Sequence, residues 1–193
     1  MILCAGTSKR FGSNKMLAPL AGKPLLAHTI ERMRPQVSDL ALNGEEREYG
    51  EFGLPIFPDA IVGKLGPLVG ILTAMEWAAR LGYERVLTIS GDTPFVPDCL
   101  AEMLANIQGN GIVLPQVENR RHQICGFWPV GEASNLRAYL QEERDYKVGS
   151  FLMSCETTIC LFPKKNGVDP FFNINTQEDM QRAEQILEQR NRM

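Results

Sequence analysis

Short apolar runs, each stopped by a polar residue and followed by a helix-periodic stretch, recur along this chain and limit what it can fold into. Leu40-Ala41-Leu42 stops at Asn43, Pro55-Ile56-Phe57 at Pro58-Asp59, and Val86-Leu87-Thr88-Ile89 at Ser90-Gly91-Asp92. Between these runs, apolar residues fall at helical spacing. Leu26, Ile30 and Met33 follow Lys23-Pro24, which opens a helix that Pro35 stops. Leu68, Ile71, Leu72, Met75 and Ala79 follow a loop containing Gly63, Gly66 and Gly70, with Gly82 as a C-terminal cap. Alternating strand and helix signals predict an α/β fold: a mostly parallel sheet with helices on both faces.

The second half repeats the alternation less regularly. Leu100, Met103, Leu104 and Ile107 mark a helix, and Ile112-Val113-Leu114 a strand. Residues 117–128 read as a hairpin or loop pair turning at Glu118-Asn119-Arg120. Helices near residues 136–140 and 150–153 and a late strand at 157–162 follow. Thr176 and Asp179 form a capping-box-like start to a final helix whose face carries Met180, Ala183 and Leu187. No linker or repeat divides the 193 residues, so one domain over residues 1–193 is expected.

The charges are unevenly placed. The chain carries a formal net charge of −3, yet no Asp or Glu precedes Glu31, so Lys9, Arg10, Lys15 and Lys23 stand uncompensated in sequence. These cations follow the first apolar run and its turn, Leu3-Cys4-Ala5-Gly6, where a strand end with a positive field suits a polyphosphate. The loop is neither a Walker A nor a dinucleotide G-x-G-x-x-G. Its expected role is a wide turn whose backbone N–H groups approach phosphates while Arg10 and Lys15 neutralise charge. Cys4 is expected to be a small buried side chain.

Ligands of open α/β sheets sit at the carboxyl ends of the strands, where the Gly6 loop, Asn43, Asp59 and Asp92 all fall. Asp92, after the strongest strand, is placed to hold Mg2+ with phosphate oxygens, or to begin an Asx turn. Asp59 and Asn43 could meet a ribose or base edge, or serve local structure. Gly66-Pro67 opens a helix whose free N–H groups could accept an anion. Asn173 and Asn175 project to one side of an extended segment, with Asn175 or Thr176 capping the last helix. His122, beside Arg120 and Arg121, could touch an anionic substrate.

A sequence pI near 5.5 argues against a nucleic-acid partner. No apolar run is long enough to span a bilayer, so no membrane partner is expected. Five cysteines without a C-x-x-C pair point away from disulfides and zinc and toward reduced thiols in the cytoplasm.

The segment from Leu3 to Lys15 is similar to the L-[AG]-[AG]-G-x-[ST]-x-R-[MF]-G-x-[DN]-K signature of nucleotidyltransferases. Gly22-Lys23-Pro24-Leu25, Gly66-Pro67-Leu68-Val69-Gly70, Gly91-Asp92-Thr93-Pro94 and Asn173-Ile174-Asn175-Thr176 follow in order. Together they resemble the molybdenum cofactor guanylyltransferases over nearly the whole chain. The resemblance implies a three-layer α/β/α Rossmann-like nucleotidyltransferase fold. It also implies transfer of GMP from GTP to molybdenum-bound molybdopterin, with Mg2+ (or Mn2+) as cofactor and Asp92 as its ligand. By the same resemblance, Leu3, Cys4, Ala5, Gly6, Lys15, Asn43, Asp59 and Asp92 contact the nucleotide, and Lys15 and Arg10 stabilise phosphate charge. Gly66, Asn173 and Asn175 lie toward the acceptor. Molybdoenzymes, their chaperones and other molybdenum-cofactor biosynthesis proteins would be partners in handover. Two positions depart from the pattern. Leu-Cys-Ala-Gly replaces Leu-Ala-Gly-Gly, with Ala5 as in related cytidylyltransferases, and Asn14 replaces an acidic residue. CTP-dependent molybdopterin cytidylyl transfer and sugar-phosphate nucleotidyl transfer therefore stand as alternatives.

Overall fold

The computed structural model describes residues 1–5, 14–63, 66–142 and 145–191. The chain is a three-layer α/β structure. Its strands are β1 (Ile2–Leu3), β2 (Pro19–Leu20), β3 (Lys23–Pro24), β4 (Leu42–Asn43), β5 (Ile56–Phe57), β6 (Arg85–Ser90), β7 (Ile112–Val117), β8 (Arg120–Arg121), β9 (Gly126–Pro129) and β10 (Thr157–Leu161). The main sheet runs β10-β7-β9-β6-β1-β4-β5, with β8 added to β7. β1, β4, β5 and β6 pair in parallel, as do β7 and β10; β9 runs antiparallel to both β6 and β7. The parallel half brings the carboxyl ends of β1, β4, β5 and β6 to one edge, as the strand-ending polar residues predict.

The helices are α1 (Leu25–Met33), α2 (Glu46–Tyr49), α3 (Pro67–Arg80), α4 (Leu100–Ala105), α5 (Ala133–Gln141), α6 (Val148–Leu152) and α7 (Gln177–Asn191). One sheet face packs Leu68, Ile71, Leu72 and Met75 of α3 with Leu136 and Leu140 of α5 and Phe151 of α6. The other packs Leu26, Ile30 and Met33 of α1 with Leu100 and Leu104 of α4. A smaller cluster seats Met180, Ala183 and Ile186 of α7 on Leu20, Leu25, Phe95 and Ile174. Each fully buried side chain of this size contributes roughly 1.5–3 kcal/mol, so the α7 cluster anchors the Asn173–Asn175 segment that precedes the helix.

Several expectations hold in detail. Thr176 Oγ1 accepts from the Asp179 amide at 3.1 Å while Asp179 Oδ2 accepts from the Thr176 amide at 3.0 Å, a closed capping box. Gly82, at φ +80°, follows the end of α3 as the left-handed cap position requires. One element differs. Lys23-Pro24 does not open α1; it pairs with Pro19–Leu20 as an antiparallel two-stranded ribbon, and the helix begins at Leu25. The ribbon turns through Ala21 and Gly22 at φ +48° and +82°, the geometry of a type I′ hairpin. Alanine lacks the Asn-Gly signature by which such turns are recognised, which is why the ribbon is not visible in the sequence.

An alanine in the left-handed region carries a penalty of about 1 kcal/mol. Ala21 is exposed and its replacement meets no packing constraint. Ala21→Asn is therefore expected to stabilise the protein by about 0.5–1 kcal/mol, read as a higher urea midpoint at unchanged slope. A lower midpoint would contradict the assigned turn.

Candidate active site

The site is organised by one ion pair. Asp92 follows β6, and Lys15 opens the 3-10 turn Lys15–Leu17, 77 residues earlier. Lys15 Nζ donates to Asp92 Oδ2, to Asn175 Oδ1 at 2.9 Å and to the Ile174 carbonyl at 3.2 Å. The other carboxylate oxygen accepts from Asn173 Nδ2 at 2.7 Å, and the Ile174 amide donates to the Asp92 carbonyl at 3.1 Å. The Lys15 and Asp92 side chains retain only 14% and 6% of their exposure. Burial of two charges is tolerable because each is met by an opposite charge and by further hydrogen bonds.

Local sequence explains the convergence. A Cβ on Gly91 would come within 3.0 Å of Met16 Sδ, 3.1 Å of Leu26 Cδ1 and 3.2 Å of Cys4 Sγ. Glycine there lets the 3-10 turn close onto the end of β6 and brings Lys15 to Asp92. Thr176 takes the capping role, so the Asn175 side chain is available to Lys15. Ile174, fully buried between the two amides, turns Asn173 and Asn175 to the same side.

The first strand contributes backbone. Leu3 and Cys4 are buried and Ala5 is exposed; Cys4 Sγ lies 3.7 Å from the Ile2 carbonyl. Burial pushes the Cys4 thiol well above its ordinary pKa, with Asp92 adding to the rise, so it packs rather than reacts. Gly6 and Arg10 lie outside the described residues. Asn43 is buried and donates to the Phe57 carbonyl at 3.2 Å and to Asp59 Oδ1 at 3.0 Å. The structure thus gives Asn43 the task of holding Asp59, whose pKa burial raises while Asn43 opposes the shift. Thr73 Oγ1 accepts from the Ala60 amide at 2.9 Å and fixes the turn beside Asp59. Gly66 caps the start of α3 at φ +67°, away from the ion pair's own hydrogen bonds.

One site residue escapes the sequence reading, and Asn14, seen there only as a departure from the signature, gains a role. Tyr49, at the end of α2, is buried; its hydroxyl donates to the Cys4 carbonyl at 3.3 Å and accepts from Asn14 Nδ2 at 3.2 Å. Asn14 Oδ1 in turn accepts from the Met16 amide at 3.1 Å, capping the turn that carries Lys15. Tyr49 therefore joins residue 4 to residue 14, the two sides of the opening loop. An aromatic residue in the polar run Glu45-Glu46-Arg47-Glu48-Tyr49 was the available signal. Burial, with the Asn14 hydrogen bond opposing it, pushes the phenol up to about 12, so it is neutral across the physiological range.

The MobA-like NTP transferase domain matches residues 1–156. A molybdenum cofactor guanylyltransferase of Rhizobium leguminosarum bv. trifolii is 37% identical, the match covering 97% of this chain and 92% of that protein. One of Rhizobium meliloti is 38% identical, with 97% and 90% covered. Molybdopterin-guanine dinucleotide biosynthesis protein A of Archaeoglobus fulgidus has a similar fold, with TM-score 0.75 at 21% identity and 97% of both chains covered. So does 4-diphosphocytidyl-2C-methyl-D-erythritol synthase of Anaerococcus prevotii, with TM-score 0.73 at 14% identity and 97% and 96% covered. The last two likenesses concern the fold alone.

Removing one hydroxyl tests the strap between residues 4 and 14. Tyr49→Phe keeps the packed ring and deletes its hydrogen bonds to Cys4 and Asn14. It is expected to cost about 1–2 kcal/mol in a urea melt and to speed hydrogen exchange at the Met16 amide. An unchanged midpoint with unchanged exchange would show that the strap carries no load.

Proposed function

The chain belongs to the MobA-like NTP transferase family, and from that membership we infer that it transfers GMP from GTP to molybdenum-bound molybdopterin, forming the guanine dinucleotide cofactor and pyrophosphate. The observation that carries the reading is the Lys15–Asp92 pair, fixed by Asn173 and Asn175 at the carboxyl ends of β1 and β6. The guanylyltransferase relatives, at 37% and 38% identity across almost the full chain, support GTP as donor.

In this reading an oxygen of the acceptor's terminal phosphate attacks the α-phosphorus of GTP in line. The α–β phosphoanhydride bond breaks and pyrophosphate leaves with its electron pair. The attacking phosphate is already anionic near neutral pH, so no general base is required. Catalysis is positioning and charge stabilisation. Lys15 supplies a cation, and Arg10 is assigned the same role. Leu3, Cys4, Ala5 and Gly6 contribute backbone contacts for the nucleotide, while Asp59, held by Asn43, faces its ribose or base. Gly66, Asn173 and Asn175 bound the acceptor side.

A divalent cation, Mg2+ or Mn2+, is part of the proposal. Mg2+ typically takes one or two carboxylates and completes its shell with phosphate oxygens and water. Asp92, the carboxylate that follows β6, is the residue that would hold the ion, sharing its oxygens with Lys15 and Asn173. When bound, the ion offsets triphosphate charge. The five cysteines are free thiols, which supports a cytoplasmic setting. Among the described residues no helix is long and apolar enough to cross a membrane. Delivery of the product to molybdoenzymes, their chaperones or other cofactor-biosynthesis proteins completes the proposal.

Pyrophosphate release, measured with GTP or CTP and molybdenum-loaded molybdopterin, tests the reading. GTP is expected to support turnover in preference to CTP; the reverse preference would assign cytidylyl transfer, and no release with either would overturn the reading. Asp92→Asn keeps the shape of the side chain and removes its charge. It is expected to lower kcat roughly 100–1,000-fold, the range for removing one charge-stabilising group. Near-normal turnover by this variant would remove Asp92 from the chemistry.

A further inference from the structure

Beside the ion pair lies a cavity of about 220 Å3 that the roles above leave without an occupant. Its walls include Thr93 and Asn173 on one side and Arg120, Arg121, His122 and Gln123 on the other. Asn173 is shared with the catalytic network, since its amide donates to Asp92 Oδ1 at 2.7 Å and lies 3.4 Å from Thr93 Oγ1. The cavity therefore opens within one side chain of Asp92. Whole-ligand pockets usually span about 300–1,000 Å3, so this space takes one part of a larger molecule.

The wall is positive. Arg120 and Arg121 are exposed neighbours on β8, and Arg120 makes no ion pair among the described residues. Arg121 Nε donates to Gln116 Oε1 at 3.3 Å, a neutral partner that leaves its charge uncompensated. Beneath them His122 is 8% exposed, with its ring 4.7 Å from that of Phe171. His122 Nε2 is buried and lies 3.1 Å from Asp169 Oδ2. Burial pushes the imidazole pKa below its ordinary value, with Asp169 opposing the shift and Arg120 reinforcing it. The two guanidinium groups, charged at any working pH, form the cationic face of the cavity.

The wall is also held in place. The His122 amide donates to the Pro115 carbonyl at 3.0 Å. Thr88 Oγ1 donates to the Ile124 carbonyl at 2.6 Å and accepts from Trp128 Nε1 at 2.8 Å, so β6 and β9 fix the segment from both sides. Adjacent guanidinium groups carried on a fixed backbone suit recognition of an oxyanion.

We propose that this cavity is the subsite for an oxyanion carried by the acceptor, gripped by Arg120 and Arg121 against the Thr93–Asn173 wall. The proposal rests on the guanylyl-transfer reading and extends it by naming the side chains that select an anionic acceptor. Two parts of molybdopterin supply such a group: its terminal phosphate and its molybdenum-bound end. Acceptors with and without molybdenum separate them.

The test compares wild type with the double variant Arg120→Gln, Arg121→Gln, measuring KM and kcat for each acceptor, KM for GTP, and Tm. Loss of these charge-assisted contacts is expected to raise the acceptor KM roughly tenfold or more, with the GTP KM and Tm unchanged. The double variant Arg120→Lys, Arg121→Lys is expected to recover part of the loss, which a merely structural role would not show. A rise with both acceptors identifies the phosphate; a rise confined to the molybdenum-loaded form identifies the molybdenum-bound end. An unchanged acceptor KM, or a GTP KM rising in step with it, would overturn the subsite. If wild type releases no pyrophosphate with either acceptor, the guanylyl-transfer reading itself fails and the subsite falls with it.

Discussion

The rest of the structure depends on a buried charge pair. Lys15 and Asp92 are taken largely out of water, and each has to be met where it stands. An exposed pair such as Lys23–Glu31, with both side chains more than half exposed, contributes about 0–1 kcal/mol. Breaking a buried pair leaves an uncompensated charge, at a cost of about 3–5 kcal/mol. That difference ties the loop after β1, the end of β6 and the segment before α7 into one unit. The segments are distant in sequence: Lys15 reaches Asn175 across 160 residues. The final helix, remote from the chemistry in sequence, is thereby a component of the site. Its capping box and its apolar face on Leu20, Leu25 and Phe95 keep Asn173 at the carboxylate and Asn175 at the lysine.

The same pair changes the meaning of the charge distribution. In sequence the opening segment is a run of cations with nothing to balance them. In space Lys15 is balanced by Asp92, and Lys23 by Glu31. A pre-existing Lys–carboxylate pair is a sound resting state for a phosphate site. Asp92, Asn175 and the Ile174 carbonyl hold the lysine head group in one place. The folded protein bears the cost of holding the charges before substrate arrives, which is the sense in which such sites are preorganised.

Much of this was legible in the sequence, and what was legible had local causes. Apolar runs ending in Asn43, Asp59 and Asp92 placed the site edge because parallel strands in one sheet present their carboxyl ends together. Thr176 and Asp179 announced the last helix because a capping box spans only four residues. Long-range partnership was not legible. Nothing near Lys15 points to Asp92, and nothing near Tyr49 points to Cys4 and Asn14. Asn43 shows the same limit. Its position at a strand end was readable, but its use as the support of Asp59 depends on where β5 leaves the sheet. The antiparallel β9 was also hidden: Gly126–Pro129 is short, and its direction follows from the path of the chain through residues 117–128 rather than from its own composition.

The opening loop brings these limits together. Under the proposed function a base is read against the backbone at Cys4 and Ala5, so the geometry of that backbone matters more than the side chains it carries. Cys4 is turned inward and its thiol is inert. Ala5 adds one methyl group to an exposed backbone. What fixes the position of the segment comes from elsewhere: the Cys4 amide donates to the Asn43 carbonyl at 2.9 Å, and the Cys4 carbonyl accepts from Tyr49. Asn43 thus acts twice, through its main chain on the base-reading strand and through its side chain on Asp59. A change in base preference could therefore arise at Tyr49 or in β4 without any change to the loop itself. Loop sequence alone is consequently a weak guide to whether such an enzyme takes guanine or cytosine, and the Leu-Cys-Ala-Gly departure is compatible with the guanylyl transfer that full-length relatives support.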